Sequence, residues 1–184
     1  MIRKIVEQRK TPKRREYLND FKMNEDGKYQ YEGILHSLDE TEFSYDKVKK
    51  IYLSSILGIL LMYVIAGSVR AVGVMNAVFV TLPYVFGFFA AGVLTYKVGS
   101  LVFGRYPIRD YDFNSTVLKF KGLVYLVLIL TICTLIGELF YVIKYGIAMY
   151  LSGTIVFFAC MLGALVISIF FSKFNDKLRW KTNK

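Results

Sequence analysis

The chain has 184 residues, of which 55% are apolar and 16% aromatic, and its 24 Lys plus Arg outweigh 14 Asp plus Glu to give a net charge of +10. That apolar share, with a mean hydropathy of +0.42, excludes an ordinary basic soluble domain, and 14 glycines and 3 prolines are too few for a disordered or collagen-like chain. One histidine, His36, and two cysteines, Cys133 and Cys160, both inside apolar stretches, leave no material for most histidine-based triads, zinc sites or disulfide frameworks.

Residues 1–50 are polar and hold no apolar run of signal-peptide length. The expectation is that no leader is cleaved and that the first apolar segment is a retained anchor. A basic run near the start includes Lys13, Arg14 and Arg15. Such a run suits contact with anionic lipid headgroups, worth about 1 kcal/mol per basic residue close to the surface. The plainer alternative is a solvated tail that enforces topology. Aromatics are not interleaved with these charges, so no nucleic-acid partner is expected.

A β-hairpin follows. Phe21 and Met23 alternate with Lys22 and Asn24; Glu25, Asp26 and Gly27 supply a turn; Tyr29 and Tyr31 then alternate with polar neighbours. A lone two-stranded hairpin is marginal in water. It should therefore pack on its own chain or serve as a docking surface made of Phe21, Met23, Tyr29 and Tyr31. His36, between hairpin and helix, reads as structural. From about Asp39 to Lys50 the pattern turns helical, with Ser37 or Asp39 as cap and Glu40 and Glu42 suited to the first turn. This juxtamembrane helix should run into the first span as one rod.

Four segments are long enough to cross roughly 30 Å of hydrocarbon, which takes about 20 helical residues. They cover about 51–69, 74–95 (with room to continue toward 103), 122–143 and 147–171. All are continuous apolar runs without period-2 alternation, so helices are expected, since hydrocarbon offers no partners to backbone polar groups. The predicted fold is an all-α membrane protein: a four-helix transmembrane bundle (51–171) between a cytoplasmic N-terminal region (1–50) with its small hairpin and juxtamembrane helix, and a basic tail (172–184). All of the 24 Lys and Arg except Arg70 and Lys144 fall on one side of this topology. The positive-inside rule then puts both termini and the middle loop in the cytoplasm, with the chain multi-pass in the cell membrane. Very short outer loops argue against a receptor role.

The middle loop, 104–116, is broken by Gly104 and Pro107, and Asn114 or Ser115 is placed to cap the next helix. Asp110 and Asp112 form a carboxylate pair of a kind that binds cations or does acid–base work. No third ligand lies nearby, so the preferred reading is a salt-bridged turn, and no catalytic, metal or cofactor site is assigned. Glu138 is the sole acidic residue within a span, near the outer end of the third. Thr131, Thr134 and Glu138 fall on one helix face. A charge at the membrane centre costs on the order of 3 kcal/mol, less near the interface. The stripe is therefore either a path for a proton or cation, or a structural pair with Arg70 or Lys144. Pro83 should kink the second span. Gly87 with Ala91, and Ala159 with Gly163, have the spacing of close helix contacts. Asn76 is placed to bond across the bundle, and Cys133 and Cys160 should lie at similar depth as reduced packing residues.

The functional expectation is a non-enzymatic membrane protein, an accessory or scaffold subunit that docks a protein partner or further copies of itself through its cytoplasmic head. The alternative is a small oligomeric transporter or channel using the Thr131/Thr134/Glu138 face.

Overall fold

The computed structural model describes residues 21–23, 29–39, 43–146 and 150–183. Two short strands come first, β1 (Phe21–Met23) and β2 (Tyr29–Tyr31), followed by β3 (Leu35–Leu38). The first long helix is α1 (Tyr45–Ser68), and a five-residue helix, α2 (Val72–Asn76), precedes α3 (Val78–Val102). After β4 (Ile108–Arg109) and the short α4 (Asp110–Ser115) come α5 (Val117–Tyr145), α6 (Leu151–Lys177) and β5 (Trp180–Asn183).

Four long helices are apolar enough to cross a membrane, as in a multi-pass membrane protein. Each spans at least the hydrocarbon thickness at about 1.5 Å per residue. Helix α1 packs on α3 and α6, and α5 on α3 and α6, so the four form a closed ring in which chain neighbours are spatial neighbours. One end of the core is aromatic: Tyr52, Phe120, Phe171 and Phe174 cluster with Ile56, Leu94 and Val98. The other is built on small residues, with Ala66, Ala90, Ala91 and Ala164 around Tyr63, Phe157 and Met161. Small side chains let backbones approach, which replaces the missing hydrophobic drive between helices in lipid. Gly87 is one such place: a Cβ there would sit 2.5 Å from the Tyr63 hydroxyl. Gly163 admits Met62, but Ala159 faces outward. Cys160 is buried whereas Cys133 is exposed on the outside of the bundle.

The expected rod is present in part: α1 runs unbroken from Tyr45 into the first apolar segment, but Asp39, where it was expected to start, bonds in the sheet, and Glu40 and Glu42 lie outside the described residues. Its N-cap is Ser44. The predicted cap Ser37 instead lies in β3, because the backbone there is engaged in a sheet ladder. The second span opens differently from expectation. Val69, Ala71 and Ala77 are extended, so the apolar run is split into α2 and α3. The Thr81 hydroxyl bridges the split, donating to the carbonyls of Val74 and Ala77. Pro83 lies inside α3. The Asn76 amide, expected to reach across the bundle, donates to the Val72 carbonyl of its own short helix.

At the aromatic end of the bundle, a three-stranded antiparallel sheet of order β4–β3–β5 joins segments far apart in the chain. Leu35 pairs with Arg109 on one side and Asn183 on the other, and Leu38 pairs with Trp180. The ladder continues through Asp110 N–H to the Ile34 carbonyl and Asp39 N–H to the Arg179 carbonyl. Leu38 and Ile108 point into the aromatic core, with Trp180 packed against it. The segment 172–184 is thus no plain tail: helix α6 continues to Lys177 and the chain then enters the sheet as β5, where Lys181 pairs with Asp39 at 2.9 Å. We call this end the head and the opposite one the far end. The predicted hairpin also forms, β1 pairing with β2 in antiparallel register; its turn lies outside the described residues.

Candidate functional site

Two groups of side chains were singled out by the sequence, one inside the bundle and one on the head. The inner one follows from the break between α1 and α3. Starting a helix anew at Val72 leaves N–H groups without helical partners, and an apolar surrounding cannot hydrate them. Residues from other helices meet them. Glu138 of α5 is fully buried. Its Oε1 accepts from Gly73 N–H and its Oε2 from Val74 N–H, both at 3.0 Å. Thr154 of α6 accepts from Val72 N–H at 3.2 Å. A carboxylate and a hydroxyl thus cap α2 from two different helices. Gly73 is required for this approach, because a Cβ there would run into the Glu138 carboxylate and lie 3.2 Å from Tyr141.

The partners expected for Glu138 were Arg70 or Lys144, and this is corrected. The Lys144 ammonium lies over the rings of Phe140 and Tyr145, at 6.0 and 5.2 Å from their centroids. Arg70 is exposed. Backbone N–H groups prevail because they are already fixed in place, and their bonds to a carboxylate are charge-assisted. Thr131 and Thr134 do share the buried face with Glu138, but their hydroxyls are engaged separately. Thr131 donates to the Val127 carbonyl and contacts the Tyr63 hydroxyl at 2.7 Å; Thr134 donates to the Leu130 carbonyl. Tyr84 donates in turn to the Tyr63 carbonyl. Gly73, Thr154, Tyr63 and Tyr84 were not foreseen. A glycine inside an otherwise apolar run was the one available signal.

Close by, at the far end, Val69, Arg70, Tyr150, Ser152, Gly153 and Val156 line an open cavity of about 470 Å³.

On the head, the β1–β2 register puts Phe21, Met23, Tyr29 and Tyr31 on one face. The two halves of that face differ. The Arg109 guanidinium lies 5.1 Å from the Phe21 ring centre and 5.2 Å from that of Tyr31, and those rings meet edge to face at 5.3 Å. The Tyr31 hydroxyl also donates to the Ile34 carbonyl. Met23 and Tyr29, at the other end, are 63% and 72% exposed. Lys22 and Glu32 pair at 2.6 Å. Lys13, Arg14 and Arg15 lie outside the described residues.

In the three-stranded sheet, His36 Nε2 lies 2.8 Å from Asp110 Oδ1, and Asn114 donates to Asp110 Oδ2. The imidazole stacks on Phe113 at 4.1 Å, and Phe113 meets Trp180 edge-on. Asp110 therefore ties the middle loop to β3, while Asp112 is exposed. Among the described residues no group of three or more His, Cys, Asp or Glu side chains is placed to hold a metal ion. No family model, no curated protein and no solved structure matches the chain.

Proposed function

We propose that the chain is a non-enzymatic, multi-pass protein of the cell membrane that acts as an accessory or scaffold subunit, docking a partner protein on its cytoplasmic head. The charge asymmetry supports the sidedness, since Arg70 and Lys144 are the sole basic residues assigned to the far end. The observation that carries the docking reading is the half-covered ribbon. Arg109 holds Phe21 and Tyr31, and leaves Met23 and Tyr29 as an open apolar corner. Large exposed side chains on a small, anchored element suit a docking surface. The net charge of +10 on the chain favours a partner surface of acidic character. The basic run with Lys13, Arg14 and Arg15 would rest on anionic headgroups and hold the ribbon near the membrane. The transport alternative has less support, because Thr131, Thr134 and Glu138 are all engaged in bonds within the chain, and an ion moving along them would have to open the α2 cap.

The test is affinity purification of the tagged full chain from its native membrane, beside the Met23→Glu/Tyr29→Glu double variant, with mass spectrometry and native sizing. The expected result is a stoichiometric acidic subunit with the unaltered chain. Its recovery should fall about tenfold or more with the variant, a loss of about 1.4 kcal/mol. An unchanged stoichiometry, or a clean homo-oligomer in both preparations, overturns the reading.

A further inference from the structure

We propose that the far-end cavity binds a phosphate-bearing group, and that Arg70 is its charged contact. The cavity opens among the end of α1, the connection 69–71 and the start of α6. Its volume of about 470 Å³ lies within the range of small-ligand sites. Three of its lining residues carry polar side chains: Arg70, Tyr150 and Ser152. Among the described residues these three make no side-chain hydrogen bond or ion pair. Val69 and Val156 supply an apolar wall.

The charge pattern gives this cavity its sign. Glu138 is the sole acidic residue of the neighbouring span, and its two oxygens are already held by Gly73 and Val74 N–H. Among the described residues Arg70 is therefore a cation with no protein anion. A planar guanidinium with five donors matches two phosphate oxygens at once. The hydroxyls of Ser152 and Tyr150 add donors for the remaining oxygens. The site is also held firmly in place, because the Arg70 backbone lies so close to Gly153 that a Cβ on Gly153 would collide with the Arg70 carbonyl. The chemistry is that of a phosphodiester at the membrane boundary, with its polar head on Arg70 and its stem along the valines. A soluble phosphate would use the same donors, and the experiment separates the two sources.

The full chain is reconstituted in nanodiscs containing phosphatidylglycerol that carries a photoreactive group near its head, and adducts are mapped by peptide mass spectrometry. The expected result is labelling of the peptide covering 150–156. Arg70→Gln should lower that labelling about tenfold, Arg70→Lys should restore part of it, and Lys144→Gln should leave it unchanged. Competition by unlabelled phosphatidylglycerol alone assigns the site to a lipid headgroup; competition by millimolar inorganic phosphate assigns it to a soluble anion. Absence of labelling on 150–156 in the unaltered chain, or labelling indifferent to Arg70→Gln in a normally sized preparation, overturns the proposal.

Discussion

Replacing Glu138 by Leu removes both acceptors that close the N-terminus of α2. Gly73 N–H is buried and Val74 N–H is partly so, and each then lacks a partner. An orphaned buried donor costs about 1–3 kcal/mol, so the variant should lose about 2–6 kcal/mol locally. Glu138→Gln keeps one acceptor oxygen and turns an NH₂ group toward the other donor, for a loss of about 1–3 kcal/mol. Hydrogen exchange at single amides reads this directly. At 1.4 kcal/mol per tenfold, a loss of 2 kcal/mol accelerates exchange at Gly73 and Val74 about 30-fold. The amides of α1 and α6 should keep their protection, because the break opens as a local unit. Thr154→Val is the internal control: it should expose the Val72 amide and spare the other two. If Gly73 and Val74 exchange within about threefold of the unaltered rate in a folded Glu138→Gln protein, the capping argument is wrong.

Two further outcomes follow from the fold. Deleting residues 180–184 removes β5 and the Lys181–Asp39 pair, leaving β3 bonded on one side alone; limited proteolysis should then cut sooner in the middle loop and around β3, while all four helices still insert. Single cysteines at Tyr111 and at Ser152, in a chain without its two native cysteines, should react with a membrane-impermeant thiol reagent from opposite sides; reaction of both from one side would refute the assignment of head and far end.

The long helices were legible because each is a continuous apolar run, and the hairpin because Phe21, Met23, Tyr29 and Tyr31 alternate with polar residues. The second span reads as one helix because residues 72–75 and 78–80 around the break are apolar apart from Gly73, and hydropathy carries no information on backbone angle. The head sheet was illegible for a different reason. Its strands have two to four residues, and their pairing is non-local, so no window of sequence contains the ladder. The same holds for Glu138. Its membership of a polar face could be read from spacing, but its partners are backbone N–H groups, which no residue letter announces. Among the other charged side chains, only Arg70 and Lys144 lie at that end of the sequence topology. His36 was placed between hairpin and helix with no sign that Asp110 would meet it.

The sheet at the head also imposes an order on assembly. Strand β3 precedes every long helix, β4 lies between the second and third, and β5 follows the last. The ladder closes only when all three strands reach the same side. A chain in which one helix failed to cross would leave β4 or β5 behind the membrane, with Leu38 and Ile108 uncovered and the edges of β3 unbonded. In a membrane, closure of the sheet thus requires an even number of crossings between each pair of its strands. Chains that fail it would carry an exposed strand and apolar side chains at the surface, the features by which quality-control proteases and chaperones distinguish unfinished proteins from finished ones.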